Sequence, residues 1–284
     1  MQPPIRPFRS VLYIPGSKER ALEKAKTLPT DAIIFDLEDA VAPQEKAHAR
    51  ALLARMLAQG GYGARVKLVR VNGLDTEWGR DDVAALAGLE IDGLLLPKVD
   101  TPADLDALAE AAPGVALWAM METARGVLNA AGIAAHPQLA GFVLGTNDLA
   151  KELGCRAGPG RAPLVTSLQL CLLAARAAGI VCIDGVYNAF KDEDGLRAEC
   201  EQGRDMGFDG KTLIHPAQLA VANEVFAPSP EEIDLARRQI AAWEEAQAAG
   251  QAIAVVDGRI VENLHIVTAR AVLAKAEAIA EMEK

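Results

Sequence analysis

One feature constrains this chain more than any other: short apolar runs alternate with Ala/Leu/Glu/Arg segments of helical spacing from one end to the other. The runs are SVLYI (10–14), AIIFD (32–36), VKLVRV (66–71), GLLLP (93–97), VALWAM (115–120), GFVLG (141–145), IVCIDG (180–185) and GKTLI (210–214). Each is nearly continuous, as expected of parallel strands buried on both faces. Helical patterns such as Pro43–Leu57, Pro102–Ala112 and Asp192–Met206 lie between them. Eight strand–helix units close as a (β/α)8 TIM barrel, the alternative being an open doubly wound sheet. An open sheet with a phosphate-binding first turn usually carries G-x-G-x-x-G there. Here the turn reads PGSKER (15–20), which favours the barrel. The barrel is expected over 1–228. Beyond it, 229–284 holds a helix (Pro230–Ala249), a Gly/Asp-bearing hairpin (250–262) and a last helix (Asn263–Glu283), additional to the eight units.

Composition narrows the function classes. Half of the 284 residues are apolar and 24% are charged, ample for a large core. The formal charge of −10 argues against nucleic acid or an anionic membrane as partner. An anionic small molecule is still allowed, because a local basic cluster can bind one. Cys155, Cys171, Cys182 and Cys200 show no paired or metal-ligand spacing and read as reduced thiols. No apolar h-region opens the chain and no run approaches the roughly 18 residues of a membrane span. A cytoplasmic globular protein is expected.

In a TIM barrel the chemistry sits where strands end and βα loops begin. The second strand ends in Asp36-Leu37-Glu38-Asp39, the third carries Arg70 and Asn72, and the fourth ends in Pro97-Lys98. The fifth gives Glu122-Thr123, the sixth Gly145-Thr146-Asn147-Asp148, and the eighth is followed by His215-Pro216. Charged groups converging on one mouth are costly unless they bind a metal or a charged ligand, whereas the strand bodies read as apolar. Glu122 and Asp148 lie one unit apart, so they project from neighbouring strands. Two carboxylates plus waters suit Mg²⁺, and no Cys/His set suggests zinc. Each residue also has a plain structural reading. Glu122 and Asp148 could serve helix starts, Arg70 could be an ion-pair partner rather than a fork for a substrate oxygen, and His215 could cap the turn before Pro216. Asp36, Glu38 and Asp39 either order metal-bound water or cap the helix that starts at Pro43.

Taken together, RPFRSVLYIPG (6–16), DAIIFDLEDAVAPQEKAHAR (31–50), VRVNG (69–73), LLLPKV (94–99), METARGV (121–127), GTNDLAKELG (145–154), DGVYNAFKDEDG (184–195) and GFDGKTLIHPAQ (207–218) resemble the citrate lyase β-subunit-like family of the HpcH/HpaI aldolase superfamily. The resemblance covers essentially the whole chain. It implies a (β/α)8 barrel that uses Mg²⁺ and acts on a CoA thioester. Glu122 and Asp148 match the metal ligands and Arg70 the substrate-oxygen clamp. Tyr13, Arg20 and Lys24 match positions contacting substrate or CoA, the basic pair facing the phosphates. Ile214 and His215 match a main-chain contact to the CoA arm. DGRIVENLHIVTARAVLA (257–274) resembles a lid that reaches over a neighbouring subunit's site, so a homotrimer or dimer of trimers is expected. Glu262 stands where many members have Asp; it either moves protons from the lid or caps the last helix. A metal-bound water held by the acidic loop, through Asp39, is the alternative base. The activity expected from the resemblance is a retro-Claisen cleavage of citramalyl-CoA to acetyl-CoA and a 2-oxo acid, pyruvate. Malyl-CoA or β-methylmalyl-CoA lyase, malyl-CoA thioesterase and a citrate lyase β subunit in a complex are the alternatives.

Overall fold

A computed structural model describes residues 6–283 of the chain. Phe8–Phe226 forms one compact unit and the chain from Ala227 onward a second. The first is a closed barrel of eight parallel strands in chain order: β1 (Ser10–Pro15), β2 (Ala32–Asp36), β3 (Val66–Arg70), β4 (Gly93–Leu96), β5 (Leu117–Met121), β6 (Leu139–Leu144), β7 (Val181–Asp184) and β8 (Gly210–Leu213). Closure by pairing of β1 with β8 excludes the open sheet. The strands lie close to the expected runs. The fifth starts later than 115 because Gly114, at φ +80°, still belongs to the preceding turn. The sixth starts earlier than 141, since Leu139 already pairs with Leu117.

Strand residues alternate between two apolar compartments, following the period of two. Val11, Ile34, Leu68, Leu95, Trp118, Met120, Val143 and Ile183 fill the barrel interior. Leu12, Ile33, Phe35, Val69, Leu94, Phe142, Cys182 and Leu213 face the helices. The expectation of apolar strand bodies fails at buried Ser10, Lys211 and Thr212, and Asp184 at the end of β7 adds a second buried charge away from the mouth. Asp184 in β7 and Lys211 in β8 are completely buried and are Cα partners across the ladder. They are tolerated because they pair: Lys211 Nζ donates to Asp184 Oδ2 at 3.0 Å. The Arg161 guanidinium takes Asp184 Oδ1 at 2.7 Å. Burial alone would raise the Asp184 pKa, but Lys211 and Arg161 outweigh it and hold the carboxyl below its ordinary value.

In the second unit a helix (Pro230–Ala248) and a helix (Asn263–Met282) flank an antiparallel hairpin of β9 (Ala254–Val256) and β10 (Arg259–Val261). Val261, Ala254, Ile266 and Ala246 make a small core of their own. Val255, Ile260, Leu264 and Val267 stay exposed. Among the described residues no helix is long and apolar enough to cross a membrane.

Candidate active site

The strand parity that fills the barrel interior also aims side chains at its mouth. Tyr13 has the phase of Val11, Asp36 of Ile34, Arg70 of Leu68 and Glu122 of Met120, so all four point inward at the C-terminal ends of the strands. They converge on a cavity of about 360 Å³, lined also by Asp39, Asp148, Asn147, Asn188 and Ile214. Of the residues given a role by the resemblance, six are therefore brought together, Tyr13, Asp39, Arg70, Glu122, Asp148 and Ile214, and the strand-end residues Asp36 and Asn147 join them.

Arg70 and Asp36 are Cα partners on β3 and β2. The guanidinium grips the carboxylate through Nε at 2.8 Å and Nη2 at 2.6 Å. Its remaining Nη1 meets Glu38 Oε2 at 3.0 Å and Asp39 Oδ2 at 3.7 Å. The guanidinium carbon lies 5.0 Å from the Tyr13 ring centre. Burial works against the charge here, but Asp36 and its neighbours outweigh it and keep Arg70 protonated. Arg70 thus brings a fixed positive charge to the cavity wall. Its planar fork is engaged by Asp36, the ion-pair arrangement that the sequence left open beside a fork for a substrate oxygen.

The acidic loop is organised by its own backbone. Asp36 accepts the N–H groups of Glu38 at 2.8 Å and Ala40 at 3.1 Å. Lys46 Nζ ties the Leu37 and Glu38 carbonyls to Asn72. The turn at Pro43 has Ala42 as its N-cap, without a side-chain bond, so the reading of these acids as a helix cap falls. Asp39 is left exposed at the cavity edge.

Glu122 is 2% exposed. Its Oε1 accepts the Lys98 N–H at 2.9 Å. Burial, with Asp148 adding to it, pushes the carboxyl up to about 7. Neither Glu122 nor Asp148 makes an ion pair among the described residues. Gly145 is required beside them, because a methyl group there would collide with Glu122 Cβ and Oε2. Among the described residues no three acidic, His or Cys side chains converge as a complete metal cage. The pair nonetheless fits Mg²⁺. The donors are hard oxygens, Glu122 is a desolvated carboxylate without a cation of its own, and the cavity leaves room for water and ligand oxygens.

Arg20, Lys24 and His215 do not line this cavity. Arg20 and Lys24 are exposed, i and i+4, on the helix Glu19–Ala25. The Ile214 and His215 N–H groups both donate to Gln218 Oε1, at 3.0 and 3.1 Å, so neither is free for a ligand. His215 caps the following turn through Nδ1 and stacks on Phe190 at 4.5 Å. Glu262 is the exposed N-cap of the last helix, its N–H donating to His265 Nδ1 at 3.0 Å. Two participants had no sequence signal of their own. Asn188, after β7, exchanges hydrogen bonds with Asn147, after β6. The Lys98 backbone, left-handed at φ +51°, donates its N–H to Glu122.

Comparison with known proteins corrects the expected activity. The (3S)-malyl-CoA thioesterases of four Cereibacter sphaeroides strains are 70–72% identical to this chain over 96% of both. A citrate lyase subunit beta from Leuconostoc mesenteroides is 36% identical, over 95% of this chain and 93% of that one. The crystal structure of CitE from Mycobacterium tuberculosis, in complex with magnesium, acetoacetate and coenzyme A, matches with a TM-score of 0.79 at 30% identity. That match covers 96% of this chain and all of the other. Identity of 70–72% to hydrolases overturns the expectation of a citramalyl-CoA lyase. The HpcH/HpaI aldolase/citrate lyase profile matches residues 9–216, the whole barrel up to the turn after β8. This chain therefore belongs to the HpcH/HpaI aldolase/citrate lyase family.

Proposed function

We propose that this chain is a Mg²⁺-dependent thioesterase that hydrolyses (3S)-malyl-CoA to malate and CoA. The observation that carries the reading is its 70–72% identity, over 96% of each chain, to relatives named for that substrate and reaction. In the hydrolysis a water oxygen adds to the thioester carbonyl carbon, the C–S bond breaks, and a proton goes to the departing sulfur. No carbon–carbon bond is cut.

Glu122 and Asp148 would hold the metal. Bound Mg²⁺ would supply positive charge and Lewis acidity to substrate oxygens in an otherwise acidic pocket. The remaining work falls to side chains. Tyr13 is kept protonated by burial. Among the described residues its hydroxyl meets only the weak acceptor Met120 Sδ, at 3.4 Å, so its proton can turn to a thioester carbonyl. Arg70, fixed by Asp36, provides charge where an oxyanion develops. Asp39 is placed at the cavity edge to take a proton from the attacking water. Ile214 lines the apolar side of the same cavity. Arg20 and Lys24 offer two solvated cations to the CoA phosphates, with the His215 turn beside the CoA arm.

The test is direct: incubate the purified protein with (3S)-malyl-CoA, with and without Mg²⁺, and follow free thiol, malate, acetyl-CoA and glyoxylate. Malate and CoA should form one to one and only with metal. Acetyl-CoA as the main product would overturn the reading.

The second unit enters as a lid. Its exposed Val255, Ile260, Leu264 and Val267 support docking on a neighbouring subunit, in a homotrimer or dimer of trimers, with Glu262 serving that neighbour's site. Mixing Glu122→Ala with Glu262→Gln should restore activity in exchanged oligomers. Silence after proven exchange would remove Glu262 from the site.

A further inference from the structure

Lys98 follows Pro97 at the end of β4 and has φ +51°, a left-handed conformation that residues with a Cβ seldom adopt. Such outliers persist where the surroundings hold them. Here the hold comes from both ends of the residue. The N–H donates to Glu122 Oε1 at 2.9 Å, and Nζ donates to Glu38 Oε1 at 3.1 Å. Glu38 passes the contact on, its Oε2 meeting Arg70 Nη1 at 3.0 Å. One residue therefore joins the candidate metal ligand to the loop that carries the other acids.

The two contacts depend on the unusual φ. With the N–H fixed on Glu122, φ sets the direction in which Cβ leaves the peptide plane. A common φ near −60° would swing Cβ by ~110° about the N–Cα bond and carry the amine away from Glu38. Side-chain packing does not explain the conformation either, since the Lys98 side chain is half exposed. It lines a neighbouring cavity of about 870 Å³, and Asp39 lines both that cavity and the 360 Å³ one.

We propose that Lys98 is a positioning residue: with its N–H on Glu122, the left-handed backbone directs the side chain so that its amine holds Glu38, fixing the separation of the two carboxylates. The proposal rests on the metal reading of Glu122, and its test separates the two. Mn²⁺ binding to substrate-free protein is measured by electron paramagnetic resonance for wild type, Lys98→Gly, Lys98→Ala and Lys98→Arg. Glycine keeps the left-handed backbone without its amine, alanine keeps neither comfortably, and arginine keeps a cation for Glu38. Affinity should fall about tenfold in Lys98→Ala, about threefold in Lys98→Gly and less than about twofold in Lys98→Arg. At saturating metal, kcat should drop in the glycine and alanine variants and recover in the arginine variant.

Equal Mn²⁺ affinity in Lys98→Gly and Lys98→Ala would overturn the proposal, because the left-handed backbone would then contribute nothing to the site. Should Lys98→Ala fail to fold, Lys98→Gly binding Mn²⁺ as wild type does would overturn it equally. If wild type itself binds no metal, the metal reading falls instead. Lys98 is then judged on turnover, where equal kcat in the glycine and arginine variants counts against it.

Discussion

At the barrel mouth and behind β7 and β8 the same device appears twice: an aspartate and a cation directly in register on neighbouring parallel strands. At the mouth the pair is Asp36 with Arg70, and behind the last strands it is Asp184 with Lys211. Strand parity separates their fates. Asp36 and Arg70 share the phase of the residues lining the barrel interior, so they face the cavity. Asp184 and Lys211 share the phase of Cys182 and Leu213 and are sealed under the helices. Charge balance separates them further. In the sealed cluster Asp184 and Glu199 meet Arg161 and Lys211, two against two. At the mouth five acids, Asp36, Glu38, Asp39, Glu122 and Asp148, outnumber the nearby cations Arg70, Lys98 and Lys46, and among the described residues Glu122 makes no ion pair of its own. A balanced buried cluster is scaffold, and an acidic excess around a cavity is a place for a cation.

The largest effect should come from the unbalanced side. Glu122→Ala and Asp148→Ala should each lower thioester hydrolysis on the order of 10³-fold while thermal melting stays near wild type. Retained turnover in either, or collapse of the fold, would erase the distinction between the clusters. On the balanced side the reverse is expected. Lys211→Met strands the completely buried Asp184 and should cost about 3–5 kcal/mol of stability in denaturant unfolding. The fraction still folded should keep its kcat. A stable Lys211→Met protein that is catalytically dead would reverse the assignment.

Arg70→Lys should reduce kcat/KM by roughly 30-fold, because one ammonium cannot reproduce the two-point grip on Asp36. Since that fork faces Asp36, Asp36→Asn should reproduce part of the loss. Full activity in Asp36→Asn together with a severe Arg70→Lys defect would mean that the guanidinium leaves Asp36 to hold substrate. The smallest effect concerns acid stability. The folded Asp184 carboxyl lies below its ordinary value, so its contribution is present above the unfolded value of about 3.9 and is lost as pH falls through the folded one. Asp184→Asn should therefore show a shallower loss of stability below about pH 4 than wild type. Parallel acid limbs for the two proteins would deny that Asp184 is held ionised.

The chain's order of apolar runs and the residue types at their ends determined a good deal alone. Near-continuous strands imply a doubly covered parallel sheet, and eight of them with an acidic, oxygen-rich set of end residues imply a barrel mouth suited to a hard cation. Those inferences work because burial and periodicity are local properties written every two or four residues. Tertiary structure alone decided which charges cancel. Asp184 and Asp36 look alike in sequence, as strand-terminal aspartates, and only register and parity give one a sealed pair and the other an open wall. It also decided that Arg70's fork is taken, that Glu122 is the carboxylate left desolvated, and that Lys98 bonds to it from a left-handed backbone. These outcomes depend on distances between residues 24 to 60 positions apart, and electrostatic energy follows distance in space rather than separation along the chain.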